Sequence, residues 1–250
     1  MGQPLPNVRL DHIAFGVHRM ADVTPLLVGE LGARPRAGGP GKGGEFTGAQ
    51  WSFPDGGKVE ILEPAGPAGG FMHRFLAGPG PGLHHMTFLV PDIYVARDRA
   101  QELGFEVVGF DDSRPRWREA FVHPRSSPAG TVVQMAQLDL DAPGEGWRSD
   151  WTFPPSPPPG EPPARVVGPR FSVPRLADAH RLWGELLGGE RIGAPDGATC
   201  YRWARSTLRV AVDEDASAKA GPRCIEVAAD RPLTLPEGPH PVLGLPFVQI

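Results

Sequence analysis

Four residues carry the strongest chemical signal in this chain: His12, Glu60, His85 and Gln134. Each sits in a short run where it alternates with apolar neighbours, namely Ile13 with Phe15, Val59 with Ile61, Met86 with Phe88, and Val133 with Met135. A β-strand sends successive side chains to opposite faces. The apolar partners therefore need helices to cover them, and the four polar residues point the other way. If the sheets that bear them curl around one cavity, two imidazoles, a carboxylate and an amide oxygen converge. That set suits one divalent ion (Zn, Co, Ni, Mn or Fe) and leaves positions for water or substrate. A lone strand histidine is ordinarily a hydrogen-bonded neutral side chain, so the case rests on the four forming a set.

An internal repeat makes them one. The run from His85 to Val90, HMTFLV, superimposes on the run from His12 to Val17, HIAFGV, at a spacing of 73 residues, and Gln134 falls on Glu60 at a spacing of 74. Repeats of this kind decide a fold before any other argument. A helix follows each copy. In the first, Val23, Leu26, Leu27 and Leu31 form a stripe, with Asp22 as cap, Pro25 in the first turn and Gly32 as the stop. In the second, Asp92 caps a stripe of Ile93, Ala96, Ala100 and Leu103, and Gly104 ends it. Strands over 49–53 and 58–62, joined by the turn-type run Pro54-Asp55-Gly56-Gly57, complete the first copy.

A third, weaker copy begins where Ser172 to Asp178 echoes Gly16 to Asp22, a spacing of 156 residues. Leu176, Ala179, Leu182, Trp183, Leu186 and Leu187 form its helical face. Strands over 198–203, 207–212 and 224–227 would complete it. Gly168 stands where His12 should, so this copy has lost the ligand. Between the copies, PPSPPPGEPP at 154–163 favours extended polyproline conformation. The expected organisation is α+β: two βαβββ modules at 1–140 forming a metal-binding cup, a Pro-rich linker at 141–164, and a degenerate structural module at 165–250.

Composition narrows the partners. The 33 glycines and 31 prolines make up about a quarter of the 250 residues, a level at which low-complexity sequence becomes common. A 40% hydrophobic share argues against disorder throughout. With 25 basic against 29 acidic residues, the net charge of -4 gives no electrostatic case for nucleic acid or an anionic membrane. A small-molecule substrate fits better, and a homodimer is compatible with the sequence. Two cysteines, Cys200 and Cys224, exclude a disulfide scaffold and a thiolate zinc ribbon. No apolar run approaches the length of a membrane span, so the expected location is the cytoplasm.

Other residues weigh less. Arg114, Arg116 and Arg118 alternate on an expected strand and could clamp a carboxylate or phosphate, or simply guard a solvated edge. His123, before Pro124, could orient substrate or serve a turn. The run from Gly38 to Gly44 lacks the residues of a phosphate loop and reads as a mobile loop at the rim. His84 faces away from His85 and is the weaker ligand candidate.

The segments DHIAFGV, KVEILEP, GLHHMTFLVPDI and FVHP followed by GTVVQ resemble the vicinal oxygen chelate superfamily, whose paired βαβββ modules form a cup around a metal. The most similar branch is that of the methylmalonyl-CoA epimerases. The resemblance covers about residues 8–138 and implies His12, Glu60, His85 and Gln134 as ligands. This chain departs from the branch by exchanging Glu and Gln between the strands of Glu60 and Gln134. The further carboxylate that epimerases use as a base has Glu45 and Gln50 as its nearest counterparts. The resemblance implies a metal-dependent isomerase, epimerase or lyase that removes a proton next to a carbonyl, on an acyl-CoA thioester. Glu60 is the expected catalytic base because it is the only carboxylate of the four residues and the Gln134 amide cannot accept a proton. A glyoxalase-type lyase, a non-haem iron dioxygenase and a metal-free sequestering protein remain alternatives.

Overall fold

All eight apolar residues that alternate with the four polar ones lie on strands of the computed structural model and have no exposed surface. The structure describes residues 3–143, 146–194 and 196–250. In chain order the first module holds β1 (Arg9–Gly16), β2 (Arg34–Pro40), β3 (Phe46–Ser52) and β4 (Lys58–Pro64). Helix α1 (Phe71–Ala77) follows. The second module holds β5 (Gly82–Leu89), α2 (Ile93–Glu102), β6 (Val107–Asp111), β7 (Trp117–Val122) and β8 (Val132–Leu138). The third holds β9 (Arg165–Val173), α3 (Leu176–His180), β10 (Glu190–Gly193), β11 (Thr199–Arg202) and β12 (Arg209–Glu214). Two more strands close the chain, β13 (Gly221–Ala228) and β14 (Phe247–Gln249).

The fold is α+β with two sheets. One has the order β2-β3-β4-β1-β5-β8-β7-β6, the other β10-β11-β12-β9-β13-β14. In each module the first strand pairs in parallel with the last: Ala14 lies opposite Glu60, Thr87 opposite Gln134, and Arg170 opposite Ala211. The second order reproduces the first without its last two strands. β13 and β14 pair in parallel, as β5 and β8 do. The strand over 224–227, expected to complete the third module, thus opens an abbreviated fourth. The third was already complete because β10, a short polar edge strand, gave no apolar alternation.

Each module's last strand also caps the following helix of its own first strand. Glu63 Oε2 accepts from the Met20 amide at 2.5 Å, Gln137 Oε1 from the Ile93 amide at 3.1 Å, and Glu214 Oε1 from the Leu176 amide at 2.8 Å. Asp92 adds a second cap, accepting from Tyr94 and Val95. Asp22 is not a cap, because the first helix starts earlier, at Met20. It runs as a 3-10 turn (Met20–Val23) and then a π-helical segment (Pro25–Glu30). Pro25 lacks an amide hydrogen and its ring crowds the preceding turn, so regular α-helix cannot pass through it.

Packing divides the chain into two units. One comprises His12–His84, Trp147–Val167 and Cys224–Ile250; the other comprises Met1–Asp11, His85–Gly146 and Gly168–Arg223. In the first unit Phe15 stacks on Phe247, with centroids 6.2 Å apart. The Pro-rich stretch is a strap here. The amides of Gly38 and Arg148 each donate to the other's carbonyl at 3.0 Å, the Gly160 amide donates to Val28 O, and the Ala164 amide to Leu31 O. Phe153 meets Trp51 edge-on at 5.2 Å. Gly144 and Glu145, within the expected linker, lie outside the described residues. Gly38 to Pro40, expected as a mobile loop, belongs to edge strand β2, and a Cβ on Gly38 would meet Trp151 of the strap at 2.5 Å. In the second unit Phe88 meets Trp203 at 4.9 Å and Trp183 at 5.8 Å. Gly168 has φ +143, and a Cβ there would stand 1.9 Å from the Arg209 carbonyl oxygen. The ligand position of the third copy thus admits no side chain.

Candidate metal centre

The parallel register of β1 with β4 sets His12 and Glu60 on one sheet face. Both are buried, at 2% and 7% exposure. His12 Nε2 stands 2.8 Å from Glu60 Oε2. Gln50, opposite Glu60 on β3, donates through Nε2 to the same oxygen at 2.9 Å and lies 3.5 Å from His12 Nδ1. His85 follows directly on the last β5 residue of this unit. One ligand atom each from His12, Glu60 and His85 lies within 4.8 Å of the others, and all three residues are buried. Donors at about 2.0–2.2 Å from one ion stand about 3 to 4 Å apart, so small side-chain movements close this set around a divalent cation. Two imidazoles and a carboxylate are the donor types that such an ion takes. Glu45 is engaged elsewhere: its Oε2 accepts from the Phe71 amide at 3.5 Å, at the start of α1.

Beyond His12 and Glu60 the same face turns apolar. Ala14 and Leu62 form a buried cluster with Met72 and Leu76 of α1, flanked by Phe46, Phe71 and Phe75. Gly16 is required for this approach, since a Cβ would meet Met72 and Phe75 at 2.7 Å. The result is a charged, metal-competent corner beside a greasy wall. His84 packs edge-on against Phe75 at 4.8 Å, and burial pushes its imidazole down to about 4, partly opposed by the Glu60 charge.

In the second module Gln134 is 7% exposed and hydrogen-bonded at both ends of its amide. Its Oε1 accepts from the Thr87 hydroxyl at 2.5 Å, and its Nε2 donates to Glu119 Oε2 at 2.7 Å. Trp117 Nε1 donates to that Glu119 oxygen at 2.7 Å, and Arg114 Nη2 donates to the other at 3.1 Å. Glu119 and Thr87 escaped the sequence argument. Only the register of β7 on β8, with Phe121 opposite Gln134 and Glu119 opposite Ala136, shows that Glu119 shares a face with Gln134.

The residues expected at substrate have the following surroundings. Arg114 and Arg116 precede β7 instead of alternating along it. Arg116 Nη1 donates to the carbonyls of Leu140 and Ala142. Arg118 is on β7 opposite Gln137, whose side chain caps α2, so it occupies the helix-bearing face and not that of Gln134. His123 forms a turn, accepting from the Arg125 amide through Nδ1 at 3.2 Å.

Comparison with known proteins accords with this geometry. Residues 11–121 match the family model described as the glyoxalase/bleomycin resistance protein/dioxygenase superfamily. The chain carries a domain of that superfamily. An ethylmalonyl-CoA/methylmalonyl-CoA epimerase of Cereibacter sphaeroides is 29% identical over 147 residues, covering 52% of this chain and 98% of the relative. Two solved structures match nearly the whole chain and show the fold. A hypothetical protein from Staphylococcus aureus has a TM-score of 0.61 at 11% identity, covering 97% of this chain and 99% of its own. A variant of 4-hydroxymandelate synthase from Streptomyces coelicolor has a TM-score of 0.63 at 14% identity, covering 91% and 72%. The glyoxalase-type domain therefore sits inside a longer array of modules. Among the described residues no helix is long and apolar enough to cross a membrane.

Proposed function

We propose that this chain is a metal-dependent isomerase or epimerase, or a lyase, that removes a proton from a carbon next to a carbonyl, with an acyl-CoA thioester as substrate. The observation that carries it is the buried His12, Glu60 and His85 group. Gln134 completes the set as a neutral fourth ligand. The epimerase relative, matched along 98% of its length, supports the substrate class. A divalent ion held there supplies Lewis-acid stabilisation of negative charge on a substrate carbonyl oxygen.

The protein's own groups do the rest. Of the four expected ligands Glu60 is the only carboxylate, and the Gln134 amide cannot accept a proton, so the proton transfer is assigned to Glu60. Gln50 donates to one Glu60 oxygen and so fixes the plane of the carboxylate. The wall of Met72, Leu76, Phe71 and Phe75 excludes water from that side and gives an acyl chain an apolar surface. The test is solvent-deuterium exchange across a panel of acyl-CoA thioesters, using protein loaded with one divalent ion. Exchange at the carbon next to the thioester supports the proposal, and no exchange on any thioester contradicts it.

A second reading has its own support: two histidines and one carboxylate are also the ligand set of non-haem iron oxygenases. Preferential binding of ferrous iron with oxygen uptake would favour it. Retention of a small molecule unchanged by metal-free protein would instead favour a sequestering role.

A further inference from the structure

Each of the first two modules holds one carboxylate and one amide hydrogen-bonded across neighbouring strands, in opposite order. In the first, Gln50 on β3 donates to Glu60 on β4 at 2.9 Å. In the second, Gln134 on β8 donates to Glu119 on β7 at 2.7 Å. The acid is on the parallel-paired strand in one module and on its outer neighbour in the other. We infer that Glu119 is a positioning residue that sets which end of the Gln134 amide faces a bound cation.

Donors and acceptors decide the orientation. An ionised carboxylate only accepts, whereas an amide has a donating nitrogen and an accepting oxygen. Glu119 is pinned by Arg114 and Trp117, so it meets Gln134 with a fixed lone pair and forces Nε2 toward itself. Thr87 cannot make that choice, because a hydroxyl donates to an oxygen or accepts from a nitrogen equally well. With Nε2 on Glu119, Oε1 faces Thr87, and that hydroxyl uses one of its two lone pairs. The other lone pair is the one a cation can take. An inverted amide would spend one N–H on Thr87 and present the other there, repelling the cation. This role rests on Gln134 being the fourth ligand, and it explains why a carboxylate sits beside an amide that a second acid would crowd.

The test is Co2+ titration of the full-length, metal-stripped chain by calorimetry, with the Co2+ visible absorption spectrum as a second readout. Removing such an outer hydrogen-bond partner of a ligand costs about 10- to 100-fold in metal affinity. Glu119→Gln should show that loss and an altered spectrum, and a larger loss than Thr87→Val, which removes a hydrogen bond without freeing the amide to invert. In a Gln134→Glu background both terminal atoms are oxygens and orientation no longer matters. Adding Glu119→Gln there should then bring no such loss, because it also removes the neighbouring like charge. Equal losses in both backgrounds, or none in the wild-type background, would overturn the inference while leaving the metal proposal standing. A wild-type chain that binds no Co2+ would overturn both.

Discussion

At the scale of residues, Glu60 has two tasks, ligation and proton transfer, and substitution separates them. Glu60→Gln keeps an amide oxygen in place, so a measurable share of metal affinity should survive. Solvent-deuterium incorporation should fall by about 10²- to 10⁴-fold, the usual contribution of a general base. Exchange at the wild-type rate would place the base elsewhere. His84 gives a pH signature. Its folded value of about 4 lies below the unfolded 6.5, so the unfolded chain takes up the proton first. The stability it contributes is complete above pH 6.5 and is lost as pH falls toward 4, by about 3 kcal/mol. Denaturant unfolding of metal-free protein at pH 7 and pH 4 measures this, and His84→Phe should remove that part of the difference. An unchanged difference would assign the acid sensitivity to other groups. His12, Glu60 and His85 could be picked out of the sequence because period-two alternation fixes a side chain's face. Gln50 was legible only as a counterpart of the epimerase base and Glu119 not at all, because hydrogen-bond register between strands leaves no mark in local pattern.

At the scale of elements, the repeat was legible because it recurs in apolar strands and in the spacing from strand to helix. What escaped were edge strands built from poor strand formers, such as β2 with its prolines and glycines and β10 with its polar run. Such edges take their pairing from a neighbour and need no apolar face of their own. The caps were half-legible. Asp92 lies next to its helix, whereas Glu63 and Glu214 reach theirs from strands 43 and 38 residues away. The strap was read as a linker because polyproline offers no periodicity, yet its amides dock on the first helix and its backbone and rings on β2. Gly32 is the hinge of that docking: its φ is +71, and a Cβ would meet the Gly160 carbonyl oxygen at 2.3 Å. Gly32→Ala should therefore cost more than about 1 kcal/mol and speed protease cleavage within 154–163. Unchanged proteolysis would show that the strap docks without that contact.

At the scale of the whole molecule, the modules after the strap serve as cover. Phe15 has Phe247 against it, and Phe88 has Trp183 and Trp203, all with 3% exposure or less. A chain ending at Asp141 uncovers these faces, so light scattering should show association at concentrations where the full chain stays monodisperse or dimeric. A truncated chain that behaves like the full one would make the later modules dispensable for packing. The proposed chemistry requires that the first two modules hold one divalent ion. The direct measurement is metal content of the full-length chain, purified without chelator, combined with X-ray absorption of the bound ion. It should find one ion per chain, with two imidazole nitrogens and carboxylate oxygen at about 2.0–2.2 Å, and His12→Ala and His85→Ala should each abolish it. A chain that takes up no stoichiometric ion, or one whose ion survives both substitutions, would contradict it.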